Sequence, residues 1–129
     1  KGIYDVLTKA DLTEFLTRNK EYFQLIVAAD VLPYFGDLKS LFGAVGDHLS
    51  AEGYFIFTTE ISTSSSWSLE STARFSHHSD YLKSLAEQNQ FQIVKQEKVP
   101  ARLQNQQPLD VMLYVFKKEA QPSSYLLLD

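Results

Sequence analysis

Two short runs limit what this chain can fold into. "FQLIVAA" at 23–29 and "YFIFTTE" at 54–60 carry apolar side chains at successive positions, not only at alternate ones. A strand with that pattern is covered on both faces, as central strands of a parallel sheet are. Between the runs, Asp37 is a good helix N-cap. Leu38, Leu41, Phe42, Val45 and Leu49 then follow the stripe of an amphipathic helix, and Gly53 marks its stop region. The alternation continues on either side. "IYDVLTK" (3–9) has strand-like composition and runs into Asp11, which stands three residues ahead of Glu14 as in a capping box; Leu12, Phe15 and Leu16 share one helical face. A further helix starts near Ser79, with Leu82, Leu85, Ala86 and Asn89 on one side. "FQIVKQEKV" (91–99) and "LDVMLYVFKK" (109–118) are strands separated only by "PARLQNQQP", so they should be antiparallel neighbours. "ISTSSSWSLESTARFSHHS" shows no periodicity and reads as a long loop, of the kind that is either a functional lid or disordered. The order predicts an α/β domain with a mostly parallel sheet and an antiparallel last strand.

Composition narrows the function classes. A chain of 129 residues makes one domain, large enough to bury roughly two-thirds of its unfolded surface. The net charge is −4, the pI is near 5.3, and no Lys/Arg cluster stands out. The electrostatic footprint of a nucleic-acid binder is therefore absent. Cysteine is absent too, which excludes disulfides and thiolate metal sites. No apolar run approaches the ~20 residues a membrane span needs. The expectation is a cytoplasmic protein with no membrane and no nucleic-acid partner. Because the chain opens on Lys1 with no signal-peptide pattern, it is expected to be a piece of a longer protein.

Four segments resemble a known family when taken in series: "GIYDVLTKADLTEFL", "LIVAADVLPYFGDLKSLFGAVGDHLSAEGYFIFTTE", "RFSHHSDYLKSLAEQNQFQIV" and "VMLYVFKK". Their order and spacing are similar to the class I S-adenosylmethionine-dependent methyltransferases. More narrowly, they resemble a bacterial group of which some members carry tetratricopeptide repeats upstream. The resemblance implies a partial Rossmann-like sheet at 1–118 followed by a tail at 119–129, with the family's first strands missing. The glycines stand at 2, 36, 43, 46 and 53 and make no GxGxG turn, so the part that holds the cofactor's methionine and ribose would precede Lys1. Gln24 is a departure, since the family usually has an aspartate there.

The resemblance also assigns residues. Asp11 matches the acid that accepts from the adenine amino group, and Leu12 the residue that meets the adenine ring. Ala28 and Ala29 end the family's fourth strand, where small side chains let the sulfonium cofactor approach. Tyr34, Arg74 and His77 are the candidates for the pocket of an unidentified methyl acceptor, with His77 the candidate general base. Each has a plainer alternative. Asp11 is also a good N-cap, the alanines are ordinary packing residues, Tyr34 is a loop aromatic and Arg74 is either an anion anchor or solvated. His77-His78 has no acid or cysteine at ligand spacing, so no metal is expected. A non-catalytic methyltransferase-like interaction module is the competing function. A homo-oligomer is expected, with Tyr125 to Leu128 buried.

Overall fold

The computed structural model describes residues 22–104 and 107–119. The strand expected at 3–9, the helix after Asp11, Asp11 and Leu12 themselves, and Tyr125 to Leu128 lie outside the described residues. So does most of the expected tail.

Six strands and two helices are described. They are β1 (Phe23–Ala28), α1 (Lys39–His48), β2 (Leu49–Ile61), β3 (Trp67–Leu69), β4 (Phe75–His77), α2 (Ser79–Gln88), β5 (Phe91–Gln104) and β6 (Gln107–Lys118). One sheet takes them all, in the order β3-β4-β2-β6-β5, with β1 also on β2. β6 runs antiparallel to both its neighbours, placing Phe57 opposite Tyr114 and Ile93 opposite Phe116. The expected sheet and its antiparallel last strand are therefore present.

A strand has two edges, and this fixes the geometry at the top of the sheet. β6 occupies one edge of β2 from Tyr54 to Glu60. β1 and β4 must then share the other, both parallel to β2. β1 ends with Ala28 beside Phe57, and β4 takes over with Ser76 beside Glu60. The residue just ahead of β4 is thereby brought to the end of β1.

The core lies on one face. Phe55, Phe57, Tyr114 and Phe116 point to it, and Leu41, Phe42 and Val45 of α1 meet Leu82, Leu85 and Ala86 of α2 there. Phe42 is fully buried and presents itself nearly edge-on to three rings, with centroids 5.5 Å from Phe55, 5.4 Å from Phe57 and 6.0 Å from Phe116. The five positions expected to form the buried stripe, Leu38 to Leu49, are all buried. Among the described residues the two faces are not equally covered. Tyr54 is 38% exposed, and Leu25, Val27 and Ile56 are half-buried.

Three local expectations are corrected. Gly53 is not the helix stop. α1 ends at His48, with Lys118 Nζ donating to the carbonyl of Gly46, and β2 begins at once. Gly53 instead lies in an irregular stretch of β2, where an added Cβ would stand 2.9 Å from the carbonyl oxygen of Ser50. The segment 100–108 is not a loop, because β5 and β6 continue as a hairpin to Gln104 and Gln107. Pro100 adjoins a register shift on the edge strand, where proline is tolerated in a sheet. Finally, the Ser/Thr-rich segment is partly a hairpin. β3 and β4 pair antiparallel, with Trp67 opposite His77 and Leu69 opposite Phe75. Alternation over three residues, in a background of serine, is too short a signal to detect.

Candidate functional site

In open α/β sheets, ligands bind beyond the carboxyl ends of the strands. Here that end is framed by the turn after β1, a 3-10 turn at Leu32–Tyr34, and the β3–β4 hairpin.

β1 stops at the two alanines, which separate. Ala28 is buried in the core cluster, whereas Ala29 is exposed in the turn. Only Ala29 offers its side chain at the strand end. Asp30 follows in a left-handed conformation, φ 56°, which a non-glycine residue adopts at a cost.

Arg74 precedes β4 and reaches across to this turn. Its Nε pairs with Glu60 at the end of β2, and its Nη2 pairs with Asp30. The guanidinium carbon lies 5.7 Å from the ring centroid of Tyr34, which is itself 51% exposed. Partial burial works against the Arg74 charge, but the bonds to Glu60 and Asp30 prevail and its pKa is raised. The two sequence alternatives for Arg74 both change. It is not simply solvated, and its fork is committed to two carboxylates, so an anionic substrate would have to displace one.

His77 is 2% exposed. Its Nε2 lies 2.8 Å from the carbonyl oxygen of Phe35 and 3.2 Å from that of Gly36. Carbonyl oxygens only accept, so Nε2 carries the proton and donates. Nδ1 is buried, with no hydrogen-bond partner among the described residues. Burial pushes the His77 pKa down, against the carbonyls of Phe35 and Gly36 and the charge of Glu60, which push it up. The imidazole is enclosed and bound to backbone, where the sequence suggested a base facing the acceptor.

This has a pH consequence. An unfolded histidine takes up a proton near pH 6.5, while folded His77 stays neutral to lower pH. Acidification through that window favours the unfolded chain. The urea midpoint should therefore fall as pH is lowered below about 6.5, and the fall should shrink in His77→Gln. An equal fall in both proteins would assign the effect to another group.

Sequence reasoning missed several members of this frame. Tyr81 on α2 accepts from the Leu38 amide at 2.8 Å and donates to Asp37 Oδ1 at 3.1 Å. Asp37 also accepts from the Lys39 amide at 3.0 Å, and these two bonds, the amide first, hold its pKa below the usual value. The capping role expected of Asp37 is thus present one residue ahead of the N-cap position. His78 caps α2, its Nδ1 accepting from the Asp80 amide at 3.0 Å. On the hairpin's other face, Ser68 and Ser76 both donate to Glu70 and lower its pKa. Separately, a cleft of about 460 Å³ lined by Tyr22, Asp47, Ser50 and Lys118 lies at the opposite, amino-terminal end of β1 and β2.

No protein-family model matches the chain, and no curated protein matches it. Solved structures do. A SAM-dependent methyltransferase from Methanosarcina mazei is similar with a TM-score of 0.63 at 11% identity, over 82% of this chain and 65% of that one. The N-methyltransferase NodS from Bradyrhizobium japonicum WM9, solved with S-adenosyl-l-homocysteine, gives 0.59 at 19% identity, over 84% and 51%. The 1,6-didemethyltoxoflavin-N1-methyltransferase of Burkholderia thailandensis, solved with 1,6-didemethyltoxoflavin and S-adenosylhomocysteine, gives 0.61 at 15%, over 81% and 48%. The fold is therefore a partial Rossmann-like methyltransferase fold. This chain spans between 48% and 65% of the length of these three proteins.

Proposed function

We propose that the chain is the acceptor-side part of an S-adenosylmethionine-dependent methyltransferase. The observation that carries this reading is the likeness, over 81% to 84% of the chain, to methyltransferases of which two were solved with S-adenosylhomocysteine. The residues present suit the cofactor in part. Ala29 leaves the end of β1 without a bulky side chain, and Tyr34 and Trp67 stand exposed nearby on the 3-10 turn and the hairpin. Asp11 and Leu12 would meet the adenine, and Ala28 would contribute its backbone at the strand end. The narrower likeness to the group with tetratricopeptide repeats rests on the sequence segments alone.

When bound, the cofactor supplies a methyl carbon already activated by its sulfonium. The protein then has to orient the acceptor in line with that carbon and keep water out. In this chain the task falls to the wall made by Tyr34, the Arg74 ion pairs and the hairpin. The methionine and ribose end would be held by the family's glycine-rich turn, a pattern that the five glycines of this chain do not make.

Calorimetry with S-adenosylhomocysteine tests the reading. The 129-residue chain alone should bind weakly or not at all. A protein that also includes the glycine-rich part should bind it, and Asp11→Ala in that protein should weaken binding about fivefold, one net hydrogen bond. Absence of binding by the longer protein would favour the interaction module. Micromolar binding by the chain alone would contradict the division of labour.

A further inference from the structure

Residues 32–38 form the wall beside the end of β1, and residues 67–81 hold them along one side. The ring pair Trp67–Phe75, with centroids 5.6 Å apart, closes over Gly36 so tightly that a Cβ there would lie 2.7 Å from Trp67. Tyr81 binds Asp37 and the Leu38 amide. Arg74 lies over Tyr34. His77 supplies the fastening at the centre, to the carbonyls of Phe35 and Gly36.

These contacts differ in what they demand. Ring packing tolerates small displacements, and the Arg74 pairs reach an exposed Asp30. The His77 bonds are enclosed and directional, and they exist in one tautomer only, with the proton on Nε2. A group acting as general base must present a proton-free nitrogen to the substrate. The proton-free nitrogen of His77 is buried, and the other is already bound to backbone.

We propose that His77 is a positioning residue of the acceptor-side wall. Its Nε2–H fixes the Phe35–Gly36 backbone and so presents Tyr34 at the carboxyl ends of β1 and β2. This rests on the reading of that wall as the acceptor side. The role itself is independent of cofactor, and so is its test.

Glutamine can place an amide N–H where Nε2 stands, and asparagine only where Nδ1 stands. The amides of Tyr34 and Phe35 report on the wall, since they donate to Val31 and Leu32 within the 3-10 turn at 3.1 and 2.9 Å. Hydrogen exchange followed by NMR should show near wild-type protection of these two amides in His77→Gln. In His77→Asn their exchange should rise about fivefold or more, with the β2 and β6 amides still protected. In the unaltered protein, long-range ¹H–¹⁵N spectra recorded well above pH 6.5, where the ring is neutral, should show one tautomer with the proton on Nε2. That measurement stands even where a variant does not fold. A neutral His77 ring carrying its proton on Nδ1, or equal exchange in the glutamine and asparagine variants, would overturn the proposal. If the pattern holds while the longer protein binds no S-adenosylhomocysteine, the failure belongs to the methyltransferase reading and not to His77.

Discussion

Phe42→Ala is expected to lower folding stability by about 3–5 kcal/mol, the range for deleting a fully buried aromatic ring. The ring is 0% exposed and meets Phe55, Phe57 and Phe116 edge-on, so its loss opens a cavity between α1 and the middle of the sheet. The walls of that cavity are themselves rings on β2 and β6, held in register by the ladder, and can relax only slightly. Against a total stability of about 5–15 kcal/mol, the substitution brings the chain close to unfolding at room temperature. Urea denaturation measures it. A loss below about 1.5 kcal/mol would mean that the core collapses around the gap more freely than its geometry suggests.

Arg74→Met should produce the next largest loss, about 2–4 kcal/mol, and the reason is the unequal exposure of its two partners. Exposed ion pairs contribute about 0–1 kcal/mol, whereas removing one member of a buried pair costs about 3–5 kcal/mol. The Arg74 and Glu60 side chains are 16% and 10% exposed, near the second case; Asp30 is 59% exposed, near the first. Asp30→Asn should therefore cost less than about 1 kcal/mol. Combining Glu60→Gln with Arg74→Met should cost less than the sum of the two single changes, the mark of direct coupling. If Arg74→Met and Asp30→Asn have equal, small effects, the guanidinium is solvated in practice and the hairpin is held by other contacts.

The parts of the fold legible from sequence are those whose pattern is long. The stripe Leu38 to Leu49 covers the whole of α1, and the runs at 23–29 and 54–60 each exceed a mean strand, so element type was readable, and for the helix its buried face as well. The β3–β4 hairpin was not, because each strand is three residues long and pairs through Ser68 and Ser76, residues that ordinarily signal a loop. The site followed the same division. The family resemblance was enough to bring Tyr34, Arg74 and His77 to one strand end. What they do there depends on contacts across more than forty positions, such as His77 to Phe35 and Arg74 to Asp30, and sequence pattern carries no information on those. The double histidine illustrates this. One ring latches a loop, its neighbour caps a helix, and neither task has a signature beyond the residue type.

The place of β6 in the sheet also sets an order of assembly. Phe57 lies opposite Tyr114, and the strand that completes the middle of the sheet is the last one described. During synthesis, β1, α1 and β2 leave the ribosome with the inner edge of β2, Tyr54 to Glu60, unclaimed. That edge is a row of unpaired backbone N–H and C=O groups, and it finds its partner only once translation has passed Lys118. Until then β2 is open to pairing with any other extended chain. The nascent protein is thus most exposed to misassembly in the interval between the translation of β2 and that of β6, and it is there that a chaperone would have the most to shield.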